Sequence, residues 1–167
     1  MIAIKNILVP TDFGEPSNAA LEYGRQLARA LGATLHVLHI VRNVAAEPVG
    51  VEGFTTDYGA LQREAEEAAR TQLGAVVAAE DWRSIAVKTM TITSNTPAPA
   101  IVSYAEGAHA DLVVVGTRVG ADPAHHATGS IAEAVLQTAP CPVLFFRQPQ
   151  YASSAADVRE LAARTTR

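Results

Sequence analysis

Glycines, an arginine and a serine fall between positions 116 and 130 in an order suited to holding an anion. Gly116-Thr117-Arg118-Val119-Gly120 comes first, and Gly129-Ser130 closes the stretch just before an apolar helical pattern. Glycine lets the backbone approach a phosphate closely, and the free amides of a helix N-terminus point at an anion that the helix dipole favours. Ser130 adds a hydroxyl, and Arg118 adds a charge-assisted donor. The same residues have a second reading. Ser130-Ile131-Ala132-Glu133 is a capping box, which needs no ligand to explain it.

A second candidate lies at the other end of the chain. Pro10-Thr11-Asp12 ends an apolar run, so Thr11 and Asp12 fall on the rim of whatever that run builds. A carboxylate there accepts hydrogen bonds from a ribose hydroxyl or a base amine, or else satisfies the amides of its own turn. His125-His126 are adjacent, a poor spacing for chelating one metal, and no nearby cysteine or paired acid completes a site. Cys141 stands between Pro140 and Pro142 and reads as a small core residue. His36 and His39 alternate along a β-like run and read as sheet or rim residues. A Walker phosphate loop, a nucleophile elbow and a zinc-protease motif are all absent.

The elements that position these residues follow from periodicity. Ile4 to Pro10 reads as a buried strand. Pro16 opens a helix whose inward face is Ala20, Gly24, Leu27, Ala28 and Leu31, and Gly32 is its C-cap. Thr34 to Val41 is a second strand, completing a βαβ unit. Residues 42 to 56 read as a loop. Thr56 to about Ala79 is a helix with Leu61, Ala65, Ala68, Ala69, Leu73 and Val76 inward, and Asp81-Trp82-Arg83 is a turn. Ile85 to Ile92 is a third strand, and a short helix from Pro97 presents Ile101, Tyr104 and Ala105. Leu112 to Val115, apolar throughout, is a fourth strand with both faces covered. Ser130 to Ala139 is a helix with Ile131, Ala134, Val135 and Thr138 inward, and Val143 to Phe146 is the fifth strand.

This alternation predicts one α/β domain, a doubly wound parallel sheet with helices on both faces. Such sheets take ligands outside the strand carboxyl ends, where strand order reverses. The rule selects the segments after strands 1, 2 and 4 before any chemistry is considered. The tail from 148 to 167 reads as an appended helix or a frayed terminus. The 167 residues suffice for one domain with a core, and a net charge of −4 disfavours gripping a nucleic-acid backbone. One cysteine excludes an intrachain disulfide and suits a reducing compartment. The first residues lack the pattern of a signal peptide and no run matches a membrane span, so a cytoplasmic protein without a membrane partner is expected.

Four segments together resemble the universal stress proteins of the UspA type: Lys5 to Phe13 (KNILVPTDF), Leu35 to Ile40 (LHVLHI), Ala110 to Thr117 (ADLVVVGT), and Gly129 to Leu136 (GSIAEAVL) with Ala139 to Leu144 (APCPVL). The match spreads over nearly the whole of residues 1–147. The resemblance implies a five-stranded sheet in the order 3-2-1-4-5, like that of the adenine-nucleotide alpha-hydrolases. It implies a homodimer paired through Val143–Phe146, which would cover a short apolar edge. One branch of the family binds ATP, with Mg as its companion ion, through G-x2-G-x9-G-[ST]. Here Gly116 and Gly129-Ser130 match that motif; Val119 stands at its second glycine and Gly120 is displaced by one. Asp12 matches the family's adenosine-contacting acid, and Ile40 and Val115 match its apolar adenine walls. The implied nucleotide site is therefore Pro10, Thr11, Asp12, Ile40, Val115, Gly116, Arg118, Gly120, Gly129, Ser130 and Ile131.

Three classes of function compete. The first is a stress-response module that binds ATP without efficient catalysis. The second is a dimer of the same type that binds no nucleotide and acts through protein partners, or a slow ATPase. The third comprises adenylyl-transfer enzymes and phospho-receivers. The former need HIGH-like or S-G-G-x-D-S motifs, and the latter need an acidic pocket; neither is present.

Overall fold

The computed structural model describes residues 3–44, 57–77, 81–117 and 131–147. Its elements run β1 (Asn6–Pro10), α1 (Glu15–Leu31), β2 (Thr34–Val41), α2 (Tyr58–Val76), α3 (Asp81–Ser84), β3 (Val87–Thr93), α4 (Pro97–Gly107), β4 (Leu112–Thr117), α5 (Ile131–Thr138) and β5 (Val143–Arg147). The strands form one parallel sheet in the order β3-β2-β1-β4-β5. Strand order reverses at β1, whose neighbours β2 and β4 lead to opposite edges. The expected architecture and strand order both hold.

Alternation along the strands builds two cores. Ile7, Val9, Leu35, Val37, Leu112 and Val114 face α1 and α2 and pack on Ala20, Leu21, Ala28 and Leu73. Leu8, Leu38, Val113 and Val115 face the other way, onto Ala98, Ile101 and Ala105 of α4 and Val135 of α5. Successive side chains on a strand point to opposite faces, so central strands covered on both sides must be apolar at every position. Gly32 ends α1 in the left-handed conformation, as its place after the last periodic residue predicts.

Several boundaries and faces differ from expectation. Asp81-Trp82-Arg83 is not a turn but the start of a one-turn helix. Asp81 is fully buried there and pairs with Arg25 at 2.7 Å and Arg29 at 2.9 Å, both on α1. Arg25 also donates to the Val76 carbonyl at the end of α2. Charge pairing across two elements leaves no trace in local periodicity. β3 begins at Val87, after α3 has taken Ser84, and β4 and β5 run on to Thr117 and Arg147. Leu31, Leu61, Ala68, Ile131 and Thr138 were expected inward but are exposed. Leu31 and Leu61 lie in terminal turns, where the helix overhangs its sheet. Of the expected loop over 42–56, residues 45–56 lie outside the described residues, as does the expected tail over 148–167.

Candidate functional site

A cavity of about 780 Å³ opens at the carboxyl ends of the strands, beside the reversal point at β1. Its size falls within the usual range for small-molecule sites. Leu38, Ile40, Ile101, Val115 and Val135 give it apolar walls, and Thr11, Asp12, Ser17, Thr117, Glu133 and Arg147 supply polar groups.

The turn after β1 is tightly specified. Asp12 Oδ1 accepts from the Gly14 amide at 2.9 Å and from the Ser17 hydroxyl at 2.6 Å. Thr11 Oγ1 accepts from the Phe13 amide at 3.0 Å and lies 3.2 Å from Ser17 Oγ. Phe13 takes the left-handed conformation with φ of 63°, uncommon for a bulky residue. Its ring lies 4.3 Å from that of His39, whose Nδ1–H donates to the Thr11 carbonyl at 2.8 Å. A carbonyl only accepts, so this bond fixes the proton on Nδ1. The turn thus holds Asp12, itself exposed, from both β1 and α1.

Gly116 has a different reason to be glycine from the one its motif suggests. A Cβ at this position would meet the Pro16 carbonyl oxygen at 2.1 Å, its carbon at 2.4 Å and the Ser17 amide nitrogen at 2.8 Å. These are backbone atoms of the first turn of α1, which crosses the end of β4. The residue is needed for that crossing whether or not a phosphate ever arrives.

Pro10, Thr11, Asp12, Ile40, Val115, Gly116 and Ile131 all line this one cavity. Arg118, Gly120, Gly129 and Ser130, with Val119 and His125-His126, lie outside the described residues. Ser17, Pro97, Phe145 and Arg147 also line it and are absent from the sequence-based set. Ser17 was findable, because it sits one turn into the helix that follows Asp12. Arg147 was not, because the apolar pattern of β5 ends one residue before it.

His36 lies on the α4 side of β2, buried to 3% exposure. Its Nδ1 is 3.0 Å from the Tyr104 hydroxyl, and its Nε2 is buried without a partner among the described residues. Burial, assisted by Lys88, holds the imidazole below its ordinary pKa. At the opposite end of β1, Asp111 accepts from the amides of Lys5 and Asn6 at 2.8 and 2.9 Å, which lowers its pKa.

The sequence model of the universal stress protein family matches residues 3–147. The chain belongs to that family. A universal stress protein of Thermus aquaticus is 34% identical over 146 residues, covering 86% of this chain and 98% of the relative. One from Methanocaldococcus jannaschii is 30% identical over 147 residues, covering 87% and 84%. Among solved structures, a universal stress protein in complex with cAMP superposes with a TM-score of 0.57 at 24% identity, covering 87% of this chain and 98% of that one. A universal stress protein from Archaeoglobus fulgidus in complex with dAMP gives 0.57 at 21% identity, with the same coverage. At these identities the structural likeness establishes the shared fold. No helix among the described residues is long and apolar enough to cross a membrane.

Proposed function

We propose that this universal stress protein is a binding module for an adenine nucleotide, ATP above all, seated in the cavity at the strand carboxyl ends. The observation that carries the reading is the cavity itself. It adjoins the strand-order reversal, has apolar walls at Ile40 and Val115 for a base, and has a carboxylate at Asp12 for a ribose. Family members solved with cAMP and dAMP support the choice of adenine. Gly116, Gly129 and Ser130, with Arg118 and Gly120, are the proposed phosphate side, where helix amides hold the anion. Asp12, Thr117 and Glu133 are oxygen donors of the kind Mg prefers, should it accompany the triphosphate.

The proposed role is binding rather than efficient turnover. The proposed assembly is a homodimer through β5, an edge strand whose Phe145 is 38% exposed. The lone Cys141 suits a reducing interior, and we place the protein in the cytoplasm. A second reading, a dimer that binds no nucleotide, is favoured by one observation: the crossing of α1 already accounts for Gly116.

Equilibrium dialysis separates the two. The nucleotide reading expects saturable ATP binding that Asp12→Ala weakens by roughly tenfold, the loss of charge-assisted hydrogen bonds. Absence of saturable binding at millimolar ATP would contradict it.

A further inference from the structure

Arg147, the last residue of β5, belongs to the same cavity as Asp12. Histidine aside, it is the only cationic side chain among the described lining residues. Arg25, Arg29, Arg63 and Arg70 each pair with a carboxylate, whereas the Arg147 guanidinium is exposed and has no hydrogen-bond or ion-pair partner among the described residues. Its position follows from the pleat. Val143 packs against the α4 and α5 side, so Phe145 and Arg147, two and four residues on, point to that same face.

Asp12 and Glu133 also line the cavity. The described wall therefore carries more negative than positive charge, which an anionic ligand has to overcome. Asp12 follows β1 and Arg147 ends β5, with β4 between them. Two strand spacings put them about 10 Å apart across the sheet. A ligand whose ribose meets Asp12 and whose phosphates run toward β5 brings its negative end to the Arg147 guanidinium.

We infer that Arg147 sets the ligand's charge class, selecting nucleoside polyphosphates over the nucleoside by a charge-assisted contact to the distal phosphates. The inference rests on the adenine-nucleotide reading of the cavity. A guanidinium matches phosphate oxygens in a fork and keeps its charge at any physiological pH, so it suits this task better than a lysine.

Isothermal titration of the full chain with adenosine, AMP, ADP and ATP tests it, using the unaltered protein, Arg147→Gln and Arg147→Lys. Arg147→Gln is expected to weaken ATP and ADP roughly tenfold and to leave adenosine within about twofold. Arg147→Lys should recover part of the loss. Raising the salt should weaken ATP binding more in the unaltered protein than in Arg147→Gln. Equal affinities of Arg147→Gln and the unaltered protein for ATP would overturn the inference while leaving the nucleotide site standing. An equal loss for adenosine and ATP would overturn it too, by making Arg147 a general structural residue. If the unaltered protein binds none of the four, the site reading fails and this inference fails with it.

Discussion

Gly116→Ala separates a structural glycine from a ligand-binding one. The added Cβ would lie 2.1 Å from the Pro16 carbonyl oxygen, where ordinary contact begins at 3.4 Å. Relief requires β4 and the first turn of α1 to part by at least about 1 Å, and backbone on both sides leaves no rotamer to absorb it. Overpacking of this kind typically costs about 1–3 kcal/mol, and contact with backbone puts this site at the upper end. At roughly 2–4 °C per kcal/mol for a domain of this size, Tm should fall by about 6–12 °C. The protein should still fold, because the cost is below a typical total stability of about 5–15 kcal/mol. Thermal unfolding followed by circular dichroism measures the shift. Gly74→Ala is the control: it lies on an exposed turn of α2 with no described residue within 4 Å of the new Cβ, and should gain up to about 1 kcal/mol. A Gly116→Ala protein melting within about 2 °C of its parent would refute the reasoning and return the glycine to a purely ligand-binding role.

Two further outcomes follow from buried polar groups. Burial holds the His36 pKa below its ordinary value in the fold, whereas in the unfolded chain it titrates near that value of about 6.5. Below that value the unfolded chain takes up a proton that the folded one resists, so stability contributed by the neutral form is lost as pH falls from roughly 7. Urea midpoints at about pH 8 and 5.5 should differ more in the parent than in His36→Phe, and equal differences would remove His36 as the cause. Asp81→Ala leaves Arg25, mostly buried, without its carboxylate and should cost about 3 kcal/mol in urea unfolding. A loss below about 1 kcal/mol would show that the pair is no stronger than a surface bridge.

Most of the fold was legible because its signals are local. Apolar β-branched runs such as Leu112 to Val115, a proline in the first turn of α1 and a glycine at its C-cap each act within a few residues. Strand order was not local; it came through resemblance. Asp81 shows what escapes such a reading. An acid between a tryptophan and a helix end looks like a solvated turn, and only the approach of Arg25 and Arg29 from α1 gives it a buried role. Gly116 shows the converse. Its place after a strand and before a distant Gly-Ser pair points to a close backbone approach, and the described structure shows one such approach, by the first turn of α1, that local sequence does not reveal. On the candidate site, Asp12 was legible from its position at a strand end, whereas Ile40 and Val115 came through resemblance. Arg147 was not, because an exposed arginine gains meaning only from the cavity it borders.

A titration with ATP followed by backbone amide NMR tests the central claim most directly, because it reports binding and location together. Saturable shifts are expected at Thr11, Asp12, Ile40, Val115, Gly116 and Ile131, with Pro10 silent for want of an amide proton. Lys5, Asn6 and Thr34, at the opposite end of the sheet, should stay unmoved. Saturable shifts confined to that opposite end, or no shifts at millimolar ATP, would contradict it.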